Sequence, residues 1–149
     1  MSPTTTAPPR RPRRLYVDTS AYLSVLLGDA GASRLSEEMA DAELLSSVLL
    51  VLETRRNLVR LAREAVLDTQ QYEACVARVE EDVARFFVLR DLTLDLYESH
   101  VVPAVTTPRS LDLAHLRTAL WFHAAEPLDR FITLDAAQAQ AAREVGLPV

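Results

Sequence analysis

The chain has 149 residues, 49% of them hydrophobic, which suffices for the core of one domain. Its net charge of −5 is unevenly distributed, because residues 15–149 hold 12 Arg against 21 acids, a formal charge of −9. A body this acidic argues against general nucleic-acid binding, although bound divalent cations would let clustered carboxylates accept a phosphate substrate. A single cysteine, Cys75, excludes an intramolecular disulfide and a zinc site built from cysteines.

The sequence contains no obvious targeting or membrane segment. Residues 1–14 lack an apolar run, so we expect no signal peptide. The longest apolar run, residues 48–52, is far too short to span a bilayer. Because a lone cysteine fits a reducing compartment, we expect a cytoplasmic protein with no membrane partner.

Residues 1–13 form a tail that reads MSPTTTAPPRRPR. Pro, Thr and Arg dominate it and leave almost nothing to bury, which predicts disorder. Two interpretations stay open: an uninvolved terminus, or an electrostatic arm that attracts RNA or an acidic partner. Residues 14–149 then form a single domain, in which we find no linker and no internal repeat.

Short apolar runs alternate with helical patterns along residues 14–149. The predicted strands lie at about 14–18, 43–46, 85–92 and 130–134, with 147–149 as a candidate short edge strand. The predicted helices lie at about 19–29, 31–42, 47–65, 69–84, 93–105, 110–125 and 136–146, with a turn at Pro108. This alternation predicts a three-layer α/β fold with a mainly parallel sheet.

Two of the predicted strands end on an aspartate, Asp18 after LYV and Asp135 after FITL. The carboxyl ends of parallel strands share one edge of the sheet, where ligands bind, so neighbouring strands would bring both carboxylates to one cleft. Alternatively, each aspartate caps the following helix. Thr19, Ser20 and Thr133 are candidate supports, since their hydroxyls lie near these acids in sequence.

Two further acids lie in helical patterns. Glu53 follows five apolar residues, and Asp112 stands near the start of a helix between Leu111 and Leu113. Each has an ordinary alternative: Glu53 could be a polar-face residue paired one turn on, and Asp112 could favour the helix dipole.

Four converging carboxylates would repel one another unless a cation lay between them. Oxygen-only ligands favour Mg²⁺ or Mn²⁺, and Mg²⁺ held by carboxylates keeps waters that can attack phosphorus. The chemistry that suits four acids in a chain without lysine or a cysteine cluster is metal-assisted phosphodiester hydrolysis.

The segments VDTSA, SSVLLVLETRRNL, RSLDLAHLRTA and FITLDAAQAQAA, in this order, resemble the PIN-domain ribonucleases, specifically the VapC-type toxins of bacterial toxin–antitoxin pairs. The resemblance covers about residues 15–149. It implies that Asp18, Glu53, Asp112 and Asp135 are the catalytic acids, which bind one or two Mg²⁺ or Mn²⁺ ions and hydrolyse RNA. It also implies a sheet of order 3-2-1-4-5, a cognate antitoxin that covers the site, a homodimer and a bacterial cytoplasmic location.

The match has two departures. Leu113 replaces an alanine that is frequent in the family, which changes no chemistry. AAQ follows Asp135 where basic residues are more usual, which would weaken substrate binding or shift it to other arginines. Arg109, just before the Asp112 helix, is a candidate phosphate contact. His115, one helical turn after Asp112, is a candidate substrate-site residue that could orient a carboxylate or a water, or else a packed or half-exposed structural histidine.

Three other enzyme classes fit poorly. A receiver-type phosphoacceptor would call for a late lysine, a P-loop enzyme needs GxxxxGK, and a Ser–His–Asp hydrolase of the α/β type needs GxSxG. The remaining alternative is a PIN-like module that binds protein or RNA through a partner and cleaves RNA weakly or not at all.

Overall fold

Strands and helices alternate along residues 9–98, 105 and 109–149, the part of the chain that the computed structural model describes. The strands are β1 (Arg14–Val17), β2 (Glu43–Ser47), β3 (Phe87–Arg90) and β4 (Arg130–Ile132). The helices are α1 (Thr19–Leu27), α2 (Ala32–Ala40), α3 (Leu49–Arg63), α4 (Thr69–Arg85), α5 (Asp95–Glu98), α6 (Ser110–Ala125) and α7 (Ala136–Glu144).

The four strands form one parallel sheet in the order β3-β2-β1-β4. Strand β1 lies between β2 and β4, and all four of its residues are buried. A strand that is covered on both faces reads as a continuous apolar run, which explains why LYV lacks polar alternation. The predicted α/β class and the mainly parallel sheet are confirmed.

Helices cover both faces of this sheet. Leu15 and Val17 point into a first apolar cluster, which α1, α3 and α4 complete with Tyr22, Leu58 and Val79. Tyr16, between them in sequence, points to the opposite face because side chains alternate along a strand. It packs in a second cluster with residues of α6, α7 and β4, including Leu116, Phe122, Ala141 and Phe131.

The predicted strand count and order need correction. Five strands in the order 3-2-1-4-5 were expected, whereas residues 9–98, 105 and 109–149 contain four, in the order 3-2-1-4. Residues 147–149 form no strand; a single backbone bond joins Phe131 N–H to Pro148 O at 2.5 Å. Proline has no N–H to donate, so it cannot continue a ladder of hydrogen bonds at this edge.

Several predicted boundaries also shift. The first strand ends at Val17, so that Asp18 belongs to the turn before α1. The third strand is shorter than predicted because Arg85 still belongs to α4. Of the helix predicted over 93–105, only α5 is observed; residue 105 is not helical, and 99–104 lie outside the described residues. The turn predicted at Pro108 also lies outside them.

The predicted tail is described from residue 9 onward. Arg11 lies 2.5 Å from Glu126, and Arg13 lies 3.1 Å from Glu38, both in exposed ion pairs. Such pairs contribute little to stability. No helix in the described ranges is both long and apolar enough to cross a membrane.

Candidate active site

Asp18 occupies the turn between β1 and α1. Its backbone N–H continues the sheet by donating to Ile132 O at 3.0 Å. Its Oδ1 accepts from the Ser20 hydroxyl at 2.7 Å and from Ala21 N–H at 3.1 Å, which caps α1. The residue is 5% exposed, so the carboxyl lies almost wholly out of water. The capping role is therefore observed, and it fixes the carboxyl at the carboxyl edge of the sheet.

Burial raises the pKa of the Asp18 carboxyl above its ordinary value. Hydrogen bonding by the Thr133 and Ser20 hydroxyls and by Ala21 N–H favours the ionised form but does not outweigh burial. Ionised Asp18 is thus a buried anion with weak compensation, an environment that a cation would stabilise.

Asp135 occupies the corresponding turn between β4 and α7. Its Oδ1 accepts from Ala137 N–H at 2.8 Å and from Gln138 N–H at 3.2 Å, which caps α7. The Thr133 hydroxyl accepts from Asp135 N–H at 3.1 Å. Thr133, a predicted support of this turn, thus contacts the backbone of Asp135.

The Ser20 hydroxyl joins the two turns. It donates to Asp18, accepts from Leu134 N–H at 2.9 Å, and lies 3.3 Å from the Thr133 hydroxyl. The join is possible because β1 and β4 are adjacent, with Val17 paired to Ile132. The strand-end acids Asp18 and Asp135 therefore belong to one hydrogen-bonded edge of the sheet.

Glu53 reaches the same edge from α3. Its Oε1 accepts from the Thr19 hydroxyl at 2.9 Å and from His115 Nε2 at 2.8 Å. Thr19 directly follows Asp18, so this contact brings the helix-borne carboxylate next to the β1 turn. On its other side, His115 Nδ1 lies 2.8 Å from the hydroxyl of Tyr16, a buried residue of β1.

The pKa of Glu53 is lowered, in contrast to that of Asp18. Partial burial acts to raise the pKa of Glu53, but the hydrogen bond and charge of His115, together with Thr19 and Arg56, outweigh burial. Glu53 therefore favours its ionised form in the folded protein. This is the form that a metal ligand needs.

Asp112 is half-buried in the first turn of α6. Its backbone carbonyl accepts from Gln138 Nε2 at 2.9 Å, while Gln138 N–H donates to Asp135. Gln138 thus ties the start of α6 to the start of α7, and sequence reasoning missed it. The signal was present, because a Gln three residues after an N-cap aspartate is the spacing of a capping box. Here its side chain turns to the neighbouring helix instead.

Of the two predicted substrate contacts, Arg109 lies at the surface and His115 lies in the interior. Arg109 is exposed at the N-terminus of α6. His115 is 2% exposed and is engaged with Glu53, Thr19 and Tyr16, so its contacts are with the site's own residues. Among the α3 arginines, Arg55 pairs with Glu80 and Arg60 with Glu64.

The four acids supply the donor type that Mg²⁺ and Mn²⁺ prefer, carboxylate oxygen. In residues 9–98, 105 and 109–149, however, no three His, Cys, Asp or Glu side chains form a ready set of metal ligands. Asp18 and Asp135 each turn an oxygen toward their own helix, and Glu53 turns one toward His115. The residues fit a divalent cation in chemistry, and the buried Asp18 carboxyl gives the clearest electrostatic reason for one.

Comparison with known proteins adds no assignment. No protein-family model matches the chain, and no curated protein matches it.

Proposed function

We propose that the chain is a metal-dependent endoribonuclease, the toxin component of a toxin–antitoxin pair with a PIN-like catalytic site. The observation that carries the proposal is the shared sheet edge, where Asp18 and Asp135 follow adjacent parallel strands and are joined through Ser20. Glu53 supports it, since its contact with Thr19 brings a third acid to the β1 turn. The order of the four acids along the chain, with its resemblance to VapC-type toxins, supplies the reaction class.

In this proposal Asp18, Glu53, Asp112 and Asp135 hold Mg²⁺ or Mn²⁺. The bound ion would neutralise phosphate charge and lower the pKa of an attacking water. Ser20 and the Asp18 turn keep one carboxylate fixed at the sheet edge, Thr133 orders the Asp135 turn, and Thr19 holds Glu53. Hydrolysis of the P–O3′ bond by water would leave a 3′-hydroxyl and a 5′-phosphate, as the resemblance implies.

A groove that begins at this edge and extends toward the amino ends of β1 and β4 contains basic side chains, which suit an RNA backbone. It has a volume of about 900 Å³, reaches Thr133 and Leu134 and is lined in part by Arg13, Arg34 and Arg130. Arg13 and Arg130 contact Glu38 at 3.1 and 2.6 Å, so phosphate would compete with this carboxylate for them. Exposed Arg109 would contribute from the α6 side.

The partners proposed with this function are an RNA substrate, a cognate antitoxin that covers the acidic edge, and a second copy of the chain in a homodimer. The proposed location is the bacterial cytoplasm. These assignments rest on the resemblance alone. A small upstream reading frame that encodes a DNA-binding antitoxin would support them.

The test is RNA cleavage by the purified full chain in Mg²⁺ or Mn²⁺, repeated with EDTA. Asp18→Asn and Asp135→Asn keep the helix caps but remove a charge, so we expect at least about 100-fold slower cleavage in each. Asp68→Asn is the matched control, because Asp68 caps the exposed start of α4 with a bond to Gln71 N–H at 2.8 Å. Cleavage that survives EDTA, or that survives both site variants, would contradict the four-acid mechanism.

Thermal unfolding gives a second readout of the same variants. At Mg²⁺ about tenfold above its Kd, binding should stabilise the protein by about 1.4 kcal/mol and raise the Tm by about 3–5 °C. Asp18→Asn and Asp135→Asn should lose this rise, whereas Asp68→Asn should keep it. RNA binding without any metal-dependent cleavage would instead favour a PIN-like binding module.

A further inference from the structure

A chain of hydrogen bonds runs from the middle of the sheet to Glu53. The Tyr16 hydroxyl lies 2.8 Å from His115 Nδ1, and His115 Nε2 lies 2.8 Å from Glu53 Oε1. Both ring nitrogens of His115 are therefore engaged. The Thr19 hydroxyl completes the group, 2.9 Å from the same Glu53 oxygen and 3.3 Å from His115 Nε2. The four residues come from β1, α1, α3 and α6.

The inner end of this chain is rigidly held. Tyr16 is fully buried, stacks on Phe131 with ring centroids 5.2 Å apart, and meets the His115 ring edge-on at 5.9 Å. A tyrosine hydroxyl carries its proton at neutral pH and can donate a hydrogen bond. The hydroxyl is thus a fixed donor that points at one nitrogen of the ring.

The tautomer of His115 follows from its two partners. A carboxylate oxygen accepts hydrogen bonds, so the nitrogen that faces Glu53, Nε2, carries a proton. The Tyr16 hydroxyl donates to Nδ1, which leaves that nitrogen unprotonated in the neutral ring. His115 Nε2–H and the Thr19 hydroxyl both donate hydrogen bonds to Oε1 of Glu53. Within the described residues, Oε2 of Glu53 accepts no hydrogen bond.

We propose that His115 is a positioning residue: Tyr16 sets its tautomer, and its Nε2–H holds Oε1 of Glu53 so that Oε2 is presented to the metal. The inference rests on the proposed function, since it gives Glu53 a metal to bind. It differs from simple packing, because a packed ring needs only its volume, whereas this role needs a donor at one defined atom. Hydrogen-bond partners of metal ligands typically change metal affinity by about 10- to 100-fold.

Two substitutions separate the donor from the ring. The amide nitrogen of glutamine reaches the position of Nε2, so His115→Gln keeps a donor for Glu53. The amide of asparagine reaches only the position of Nδ1, so His115→Asn keeps a partner for Tyr16 and loses the donor for Glu53. Both remove the imidazole ring, so a structural role would affect the two alike.

Mn²⁺ affinity of the metal-free full chain, measured by isothermal titration calorimetry, is the first readout. We expect His115→Asn to weaken Mn²⁺ binding by about 10-fold or more, and His115→Gln to restore most of it. Tyr16→Phe should weaken binding by about 3- to 10-fold, the effect of one lost hydrogen bond. Tyr22→Phe is its control, since Tyr22 is a buried tyrosine in the other apolar cluster whose hydroxyl donates to Asp82.

The ring nitrogens give a second readout that needs no metal. In ¹⁵N spectra of the metal-free chain, recorded at a pH where the ring is neutral, His115 should carry its proton on Nε2, and Tyr16→Phe should shift it toward a mixture of tautomers while Tyr22→Phe should not. His123 is an internal reference, because its Nδ1 accepts from Leu128 N–H at 3.0 Å. In the neutral ring, a proton on Nδ1 of His115 in place of Nε2 would overturn the assignment.

The outcomes distinguish the inference from the function on which it rests. If the wild-type chain binds Mn²⁺ and cleaves RNA, but His115→Asn and His115→Gln bind Mn²⁺ equally, the positioning role is wrong and the proposed function stands. If the wild-type chain binds no Mn²⁺, both are wrong.

Discussion

The strand-end acids and the helix-borne Glu53 reach one edge of the sheet by different means. Asp18 and Asp135 are held by neighbours in sequence, each accepting backbone N–H groups from the first turn of the next helix. Glu53 is held by residues that lie 34 and 62 positions away, Thr19 and His115. The caps of Asp18 and Asp135 need only a local turn, although Ser20 then links the two turns across the sheet, whereas the contacts of Glu53 need the packing of α3, α1 and α6.

The electrostatics follow the same division. Burial raises the pKa of Asp18 by more than its hydrogen-bond donors and His115 lower it. Glu53 is partly buried too, but its hydrogen bonds with His115 and Thr19, and the charge of Arg56, outweigh burial and lower its pKa. One acid of the site is therefore stabilised as an anion by the folded protein, and another is not. A bound metal ion would therefore favour the ionised form of Asp18 more strongly than that of Glu53, which is already favoured.

The largest stability effect should come from the acid held across the fold. Glu53→Ala leaves the buried His115 Nε2–H and the Thr19 hydroxyl without their acceptor, so we expect a loss of about 2 kcal/mol in the free energy of unfolding. Glu80→Ala is the control: its exposed pair with Arg55 should be worth less than about 1 kcal/mol. Urea unfolding without divalent cations measures both. Equal losses in the two variants would mean that Glu53 is not held as described.

Local features of the fold could be read from the sequence because their causes are local. Asp18 and Gly28 bound α1 as expected, since an aspartate suits an N-cap and Gly28 adopts the left-handed conformation, φ +67°, that ends the helix. Helix α6 runs from Ser110 to Ala125, as predicted. The adjacency of β1 and β4, on which the shared edge depends, was expected only through the resemblance, which implies the order 3-2-1-4-5, and the structure has it.

The long-range contacts could not be read in this way. His115 was placed near Asp112 by helical spacing, whereas it binds Glu53 and Tyr16, and only the packing of α6 against β1 and α3 decides this. The side chain of Gln138 was missed for the same reason. The fifth strand was expected at residues 147–149, Leu-Pro-Val, beside β4. Whether such a short segment pairs with β4 depends on backbone hydrogen bonds, which two apolar residues around a proline do not specify.

A smaller effect should come from the strand-end acids, where loss is confined to one turn. Asp135→Ala removes the cap of α7 and should lower the free energy of unfolding by about 1 kcal/mol. Asp135→Asn should recover most of this loss, because asparagine caps as well as aspartate. Asp68→Ala and Asp68→Asn give the matched comparison at α4. If Asn fails to recover stability at Asp135 but does so at Asp68, the charge of Asp135 has a structural role beyond capping.

The smallest effect, and the sharpest in sign, is the pH dependence of stability. For Asp18, the pKa is higher in the folded than in the unfolded chain, so the wild type should lose stability relative to Asp18→Asn as pH rises from about 3.8 through the raised value. For Glu53, the folded pKa is lower, so the wild type should gain stability relative to Glu53→Gln as pH rises through the lowered value to about 4.5.

Urea unfolding of the wild type and both variants between about pH 3 and pH 7, in EDTA, measures these two differences. Each difference should be constant above its window, because the carboxyl is then ionised in both states. Opposite slopes would establish that burial dominates the pKa of Asp18, whereas hydrogen bonds and nearby charge dominate the pKa of Glu53, although both acids lie at one sheet edge. Slopes of the same sign would mean that the contacts of Glu53 with His115 and Thr19 do not shift its pKa in the direction opposite to that of Asp18. The proposed electrostatic difference between the two acids would then be wrong.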